Sequence, residues 1–141
     1  YMVAQINAAS KYQVVALPFS ATNIGNANGT FVSVEPTTFY YTLPAAGAVV
    51  GASVLFNSPL TSGTFGLSVI LDGTVLNGTF ARLEGNGALL QANERWDASR
   101  NGYRFAAGET IGVMWKKEGT IAPTTTDATV MLLVLLEGLD F

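Results

Sequence analysis

Few residues in this chain of 141 could do chemistry. It contains no histidine and no cysteine, which removes imidazole bases, thiol nucleophiles, disulfides and the usual zinc, copper and haem ligands together. Carboxylates remain, but the ten acidic residues are scattered one at a time. Glu94 and Asp97 come closest to a catalytic pair, beside Trp96, whose ring could stack on a sugar. Two acids flanking a cleft suffice for glycoside hydrolysis. Here Glu94, Arg95, Asp97 and Arg100 read instead as a local salt-bridged loop with a packing tryptophan. No acidic cluster has calcium-loop spacing. The expectation is therefore a protein with no enzymatic activity, no metal and no cofactor.

Other polar motifs are read as turns. Asn28-Gly29-Thr30 and Asn77-Gly78-Thr79 match the N-glycosylation acceptor pattern, but Asn-Gly is also a common turn pair and recurs at Asn86-Gly87 and Asn101-Gly102. Gly85-Asn86-Gly87 lacks the strand-to-helix setting of a phosphate-binding loop. The seven basic residues form no run longer than two and the net charge is −3, so no nucleic-acid partner is expected. Charged residues make up 12% of the chain against roughly a quarter in ordinary soluble domains. Together with 49% hydrophobic residues and a mean hydropathy of +0.35, this favours a subunit that hides surface in an assembly.

The elements that carry these residues are short and β-rich. No stretch of ten or more residues has helical spacing between caps, and the length fits one domain. Tyr1 to Lys11 reads as an N-terminal arm, and residues 12–141 read as the domain. Tyr1-Met2-Val3-Ala4-Gln5 lacks a signal-peptide pattern, so a mature, soluble chain is expected. Expected strands are Gln13 to Phe19, Gly29 to Val34, Thr38 to Thr42, Val49 to Phe56, Thr64 to Leu71, Val75 to Arg82, Thr110 to Trp115 and Thr129 to Glu137. About eight strands suit a two-sheet antiparallel sandwich. Asp72-Gly73 between apolar runs signals a two-residue hairpin. Glu84 to Gly102 is the least strand-like part, and Ala88 to Ala92 reads equally as strand or helical turn. Phe39-Tyr40-Tyr41 places rings on both faces of one strand, which offers one ring to an interface or a ligand, with ordinary core aromatics the favoured reading.

One stretch makes the largest physical demand. Val130 to Leu136 is seven consecutive apolar residues, too short for a membrane helix, which takes roughly 20. A half-exposed strand alternates apolar and polar, and this one does not. Leaving one face wet would forgo roughly 5 to 9 kcal/mol, at about 1.5 to 3 kcal/mol for each of three large side chains. That rivals the stability of a whole domain, roughly 5 to 15 kcal/mol. Val130, Leu132 and Val134 are expected in the subunit's own core, and Met131, Leu133 and Leu135 at a contact with another copy.

Two further stretches carry a resemblance. In Phe105-Ala106-Ala107-Gly108-Glu109-Thr110-Ile111-Gly112-Val113, an aromatic, a small pair and Gly-acid lead into a strand. In Ile121 to Val130, a Pro-Thr loop ends in Asp127 before the last strand. Phe39 to Pro44, Ala46 to Gly51 and Leu71 to Thr74 fit the same plan. The chain resembles, over roughly Phe31 to Glu137, the trimeric jelly-roll modules of tailed-bacteriophage virion proteins, both capsid decoration proteins and fibre heads, which share their plan with tumour necrosis factor and C1q heads. The resemblance implies an all-β sandwich of jelly-roll type and a homotrimer with its C-terminal strand near the three-fold axis. It further implies a place on the capsid surface of a virion, with the major capsid protein or other virion subunits as partners. In the decoration reading, Tyr1, Met2 and Val3 of the arm are candidate contacts to the shell or a neighbour. In the alternative reading, a receptor-binding head of a tail or capsid fibre, Trp96, Glu94 and Asp97 are candidate contacts to a host glycan or protein.

Overall fold

The computed structural model describes residues 12–26, 28–33, 39–76 and 80–137. They form two antiparallel sheets packed face to face, with no helix among them. In sheet A, β1 (Tyr12–Ala21) and β5 (Gly47–Phe56) flank β12 (Ala128–Glu137). β3 (Val32–Ser33) lies outside β1, while β9 (Gln91–Arg95) and β10 (Arg104–Phe105) share the free side of β5. Sheet B centres on β6 (Ser62–Leu71) beside β11 (Thr110–Ala122). β2 (Gly29–Thr30) and β4 (Tyr41–Thr42) border β11, and β7 (Thr74–Val75) and β8 (Ala81–Glu84) border β6.

The strands follow from side-chain alternation. In β12, Val130, Leu132, Val134 and Leu136 are buried, and the residues between them are exposed or half-buried. Their partners in sheet B are Phe65, Leu67, Val69 of β6 and Ile111, Val113, Trp115 of β11, all buried in one hydrophobic core. Edge-on ring pairs add geometric fit, with Phe56 against Phe65 at 5.2 Å and Phe31 against Trp115 at 5.1 Å between centroids. The Trp115 indole N–H donates to the Ile24 carbonyl at 3.0 Å, which satisfies the one polar atom that this ring brings into the core.

Turn chemistry behaves as expected at Asp72-Gly73, where both residues have positive φ (48° and 83°). That is the requirement of a two-residue turn whose twist matches its strands, and Leu71 pairs directly with Thr74 across it.

Elsewhere the strands differ from the expected spans for identifiable reasons. Within the expected Gly29 to Val34 span, Gly29–Thr30 and Val32–Ser33 are separate strands in different sheets. The Phe31 N–H donates to the Val113 carbonyl in sheet B at 2.8 Å, and the chain then crosses to pair Val32 with Ser20 in sheet A. Val75 to Arg82 is also divided: β7 ends at Val75 opposite Ile70, and β8 begins at Ala81 opposite Leu67. β11 runs on past Trp115 through a charged stretch that resembles a loop in sequence. There Lys116, Lys117 and Glu118 pair with Gly66, Phe65 and Thr64, and the Asn28 side chain accepts from the Lys117 N–H at 2.8 Å. Asn28-Gly29 therefore lies at the start of a strand and is not a turn, whereas Gly87 and Gly102, at φ 85° and 84°, are turn residues. Of the ambiguous stretch, the strand begins only at Gln91.

Candidate subunit interface

The outer face of sheet A is built by three long strands in register. Val14, Leu135 and Ala48 stand side by side across β1, β12 and β5. Ala16, Leu133 and Gly51 form the next row, and Pro18, Met131 and Ser53 the one after it. Cross-strand partners point to one side of a sheet. Since Val15, Leu17, Phe19 and the even positions of β12 pack inward, these rows face away from the core. Met131, Leu133 and Leu135 are half-buried by their neighbours in the sheet, while Val14 is 60% exposed and Leu55, at the far end of β5, 49%. The inward parity of Val130, Leu132 and Val134 is the one expected.

A β-bulge sets which side chains of β5 join this face. Leu133 pairs with Gly51 but Val134 pairs with Val49, so Val50 is the extra residue. An uninterrupted register would put Val49 opposite Leu135, on the outer face. With the bulge Val49 turns inward and is fully buried, while small Ala48 takes the outer place. The Trp96 N–H donates to the Val50 carbonyl at 3.0 Å, which gives the bulged residue a partner.

The apolar rows end in a polar border along β9. Gln91, Asn93 and Arg95 pair with Leu55, Ser53 and Gly51 and share their outward parity. Two adjoining depressions of about 390 and about 400 Å³ lie along this border, one lined by Ser53, Glu94, Arg95, Met131 and Leu133, the other by Leu55, Gln91, Thr129 and Met131. An apolar centre with a polar, partly concave rim is the anatomy of a protein–protein contact. Among the described side chains of β1, β5 and β12, Glu137 is the one titratable group.

The residues expected at a ligand site are distributed differently. Trp96 turns toward the core, its ring 4.9 Å from Tyr103 and 6.2 Å from Phe80, and the Arg100 guanidinium lies 4.6 Å over the Tyr103 ring. The packing tryptophan was expected, but the salt-bridged loop is not what forms. The Asp97 carboxylate accepts from the Ser99 hydroxyl at 2.7 Å and from the Ser99 N–H at 2.9 Å. These bonds, the hydroxyl one foremost, hold its pKa below the ordinary aspartate value. Among the described residues, ion pairs join Arg82 to Glu118 at 3.0 Å and Arg104 to Glu137 at 2.7 Å. Glu94, in β9, borders the depression beside Leu133, which Asp97 does not line. Tyr1, Met2, Val3 and the Asn77-Gly78-Thr79 motif lie outside the described residues.

Of the adjacent aromatics, Tyr41 is structural. Its hydroxyl donates to the Pro18 carbonyl at 2.9 Å and its ring meets Phe19 edge-on. Phe39 and Tyr40 are 55% and 40% exposed, and the Tyr40 ring lies across Gly112 on the outer face of sheet B. The residues of β1 were missed as interface candidates, although the signal was present. Val14 to Phe19 is a second apolar run without a polar break, and it makes the same demand for cover on both faces as Val130 to Leu136.

The chain thus belongs among two-sheet antiparallel β-sandwiches. No protein-family model matches it, and no curated protein does. Among solved structures it is similar to a chain of the cyanophage Pam1 capsid asymmetric unit, with 14% sequence identity and a TM-score of 0.48. The match covers 90% of this chain and 86% of that one.

Proposed function

We propose that this chain is a virion structural protein that works as a homotrimer, decorating and reinforcing a phage capsid without catalysing a reaction. The observation that carries the assembly half is the outer face of sheet A, where Val14, Met131, Leu133 and Leu135 form an apolar surface that the described residues leave uncovered. A second copy of the same face region supplies apolar cover of matching character, and the trimeric arrangement and capsid role come from the resemblance at residues 105–113 and 121–130. Binding energy alone would do the work: trimerisation buries Met131, Leu133 and Leu135, and other surfaces of the trimer hold neighbouring shell subunits together.

Native mass spectrometry at micromolar concentration tests the first half, with a trimer expected; a folded monomer would overturn it. For the second, particles stripped of the protein should lose resistance to heat and osmotic shock. Unchanged particles together with binding of the isolated trimer to host cells would point instead to a receptor-binding head.

A further inference from the structure

We infer that Asn101 is a site of spontaneous backbone modification, converting to aspartate and isoaspartate in the folded protein ahead of the other described Asn-Gly pairs. The reaction needs a free asparagine side chain and a free N–H on the following residue. Base removes the proton from the glycine nitrogen, that nitrogen attacks the asparagine Cγ, and the Cγ–Nδ2 bond breaks with release of ammonia. Water then opens the resulting succinimide at either carbonyl, giving aspartate or isoaspartate. Glycine favours the attack because it has no side chain to obstruct it.

The three described pairs share this sequence and differ in what holds them. Asn101 and Gly102 are both exposed, at the centre of a turn closed by the Tyr103 N–H on the Arg100 carbonyl at 3.1 Å. Among the described residues, no hydrogen bond engages the Asn101 side chain or the Gly102 N–H. At Asn86-Gly87 both reacting groups are occupied: the Gly87 N–H donates to the Leu60 carbonyl at 2.7 Å, and the Asn86 side-chain oxygen accepts from the Ala88 N–H at 3.0 Å. Asn28-Gly29 is held more firmly still. Its side-chain oxygen accepts from the Lys117 N–H, Gly29 pairs with Trp115 in sheet B, and the indole packs so closely that a Cβ on Gly29 would come within 2.7 Å of it. The isoaspartate product would lengthen the backbone by one methylene in the turn that leads into β10.

The test is to hold the folded protein at mildly alkaline pH, digest it under acid conditions and follow aspartate and isoaspartate in each peptide by mass spectrometry. Asn101 should convert first, Asn86 roughly tenfold more slowly because its two hydrogen bonds must open, and Asn28 not measurably. Gly102→Ala should slow conversion at Asn101 and leave Asn86 unchanged. In urea-unfolded protein the three rates should converge. Conversion of Asn28 or Asn86 as fast as Asn101 in the folded protein would overturn the inference, and so would the same ranking in the unfolded chain.

Discussion

On the outer face of sheet A, Val14, Ala16, Pro18, Met131, Leu133 and Leu135 succeed one another across two strands without a charge among them. On the matching face of sheet B, Lys116, Glu118, Arg82 and Glu84 crowd one end, where Arg82 and Glu118 pair across an exposed surface. At its other end sheet B does carry apolar residues, Ile70 and Val75 beside Gly112, but there the chain covers part of its own patch with the Tyr40 ring. Both sheets thus bury one face in the common core, and they treat the second face in opposite ways. An apolar residue on a strand is therefore uninformative alone. What matters is whether an element of the same chain lies over it.

The largest effect should come from confirming which face of β12 is core. Leu132→Ala removes a fully buried side chain and should cost about 2 to 5 kcal/mol in urea unfolding; a cost near that of an exposed site would mean the face is assigned wrongly. Nearly as large should be Gly47→Ala, because a Cβ there runs into the Leu135 carbonyl, a backbone atom that cannot step aside. A loss of about 1 to 3 kcal/mol or more is expected by thermal or chemical denaturation.

One new charge on each outer face should affect the two sheets differently. Leu133→Asp should convert the proposed trimer to monomers in native mass spectra while costing the monomer fold only about 1 kcal/mol. Met114→Asp, half-buried on the outer face of sheet B, should leave that proposed assembly intact. Equal dissociation by both, or by neither, would break the contrast between the faces. The smallest effect belongs to Glu118→Gln, since its ion pair with Arg82 is more than half exposed on both sides. Less than about 1 kcal/mol should be lost, and less again at high salt, as measured by a double-mutant cycle with Arg82→Ala.

Much of the fold was legible because local rules and tertiary packing agreed. β5, β6, β11 and β12 are long and carry apolar runs, and turn chemistry that the structure retains at Asp72-Gly73 bounds β6. The short edge strands were harder to see. β10 is two residues held by pairing with Ala48 and Gly47, and such a segment has no periodicity to detect. The candidate site was half legible. Met131, Leu133 and Leu135 stand on the outward side as expected, but Ala16, Pro18, Ala48 and Gly51 join them only through register, which no single segment contains. Trp96 reads in sequence as a packing tryptophan, but the rings that engage it, Phe80 and Tyr103, come from other parts of the chain.

The sequence by itself determined that Val130 to Leu136 needs apolar cover on both faces, since seven apolar side chains at a two-residue period leave none for water. It also determined the hairpin at Asp72-Gly73, where backbone preference acts locally. Tertiary structure alone decided which parity of that run enters the core and which neighbours share its outer face. A strand's two faces are related by a one-residue shift, and only pairing with β1 and β5, including the bulge at Val50, selects between them.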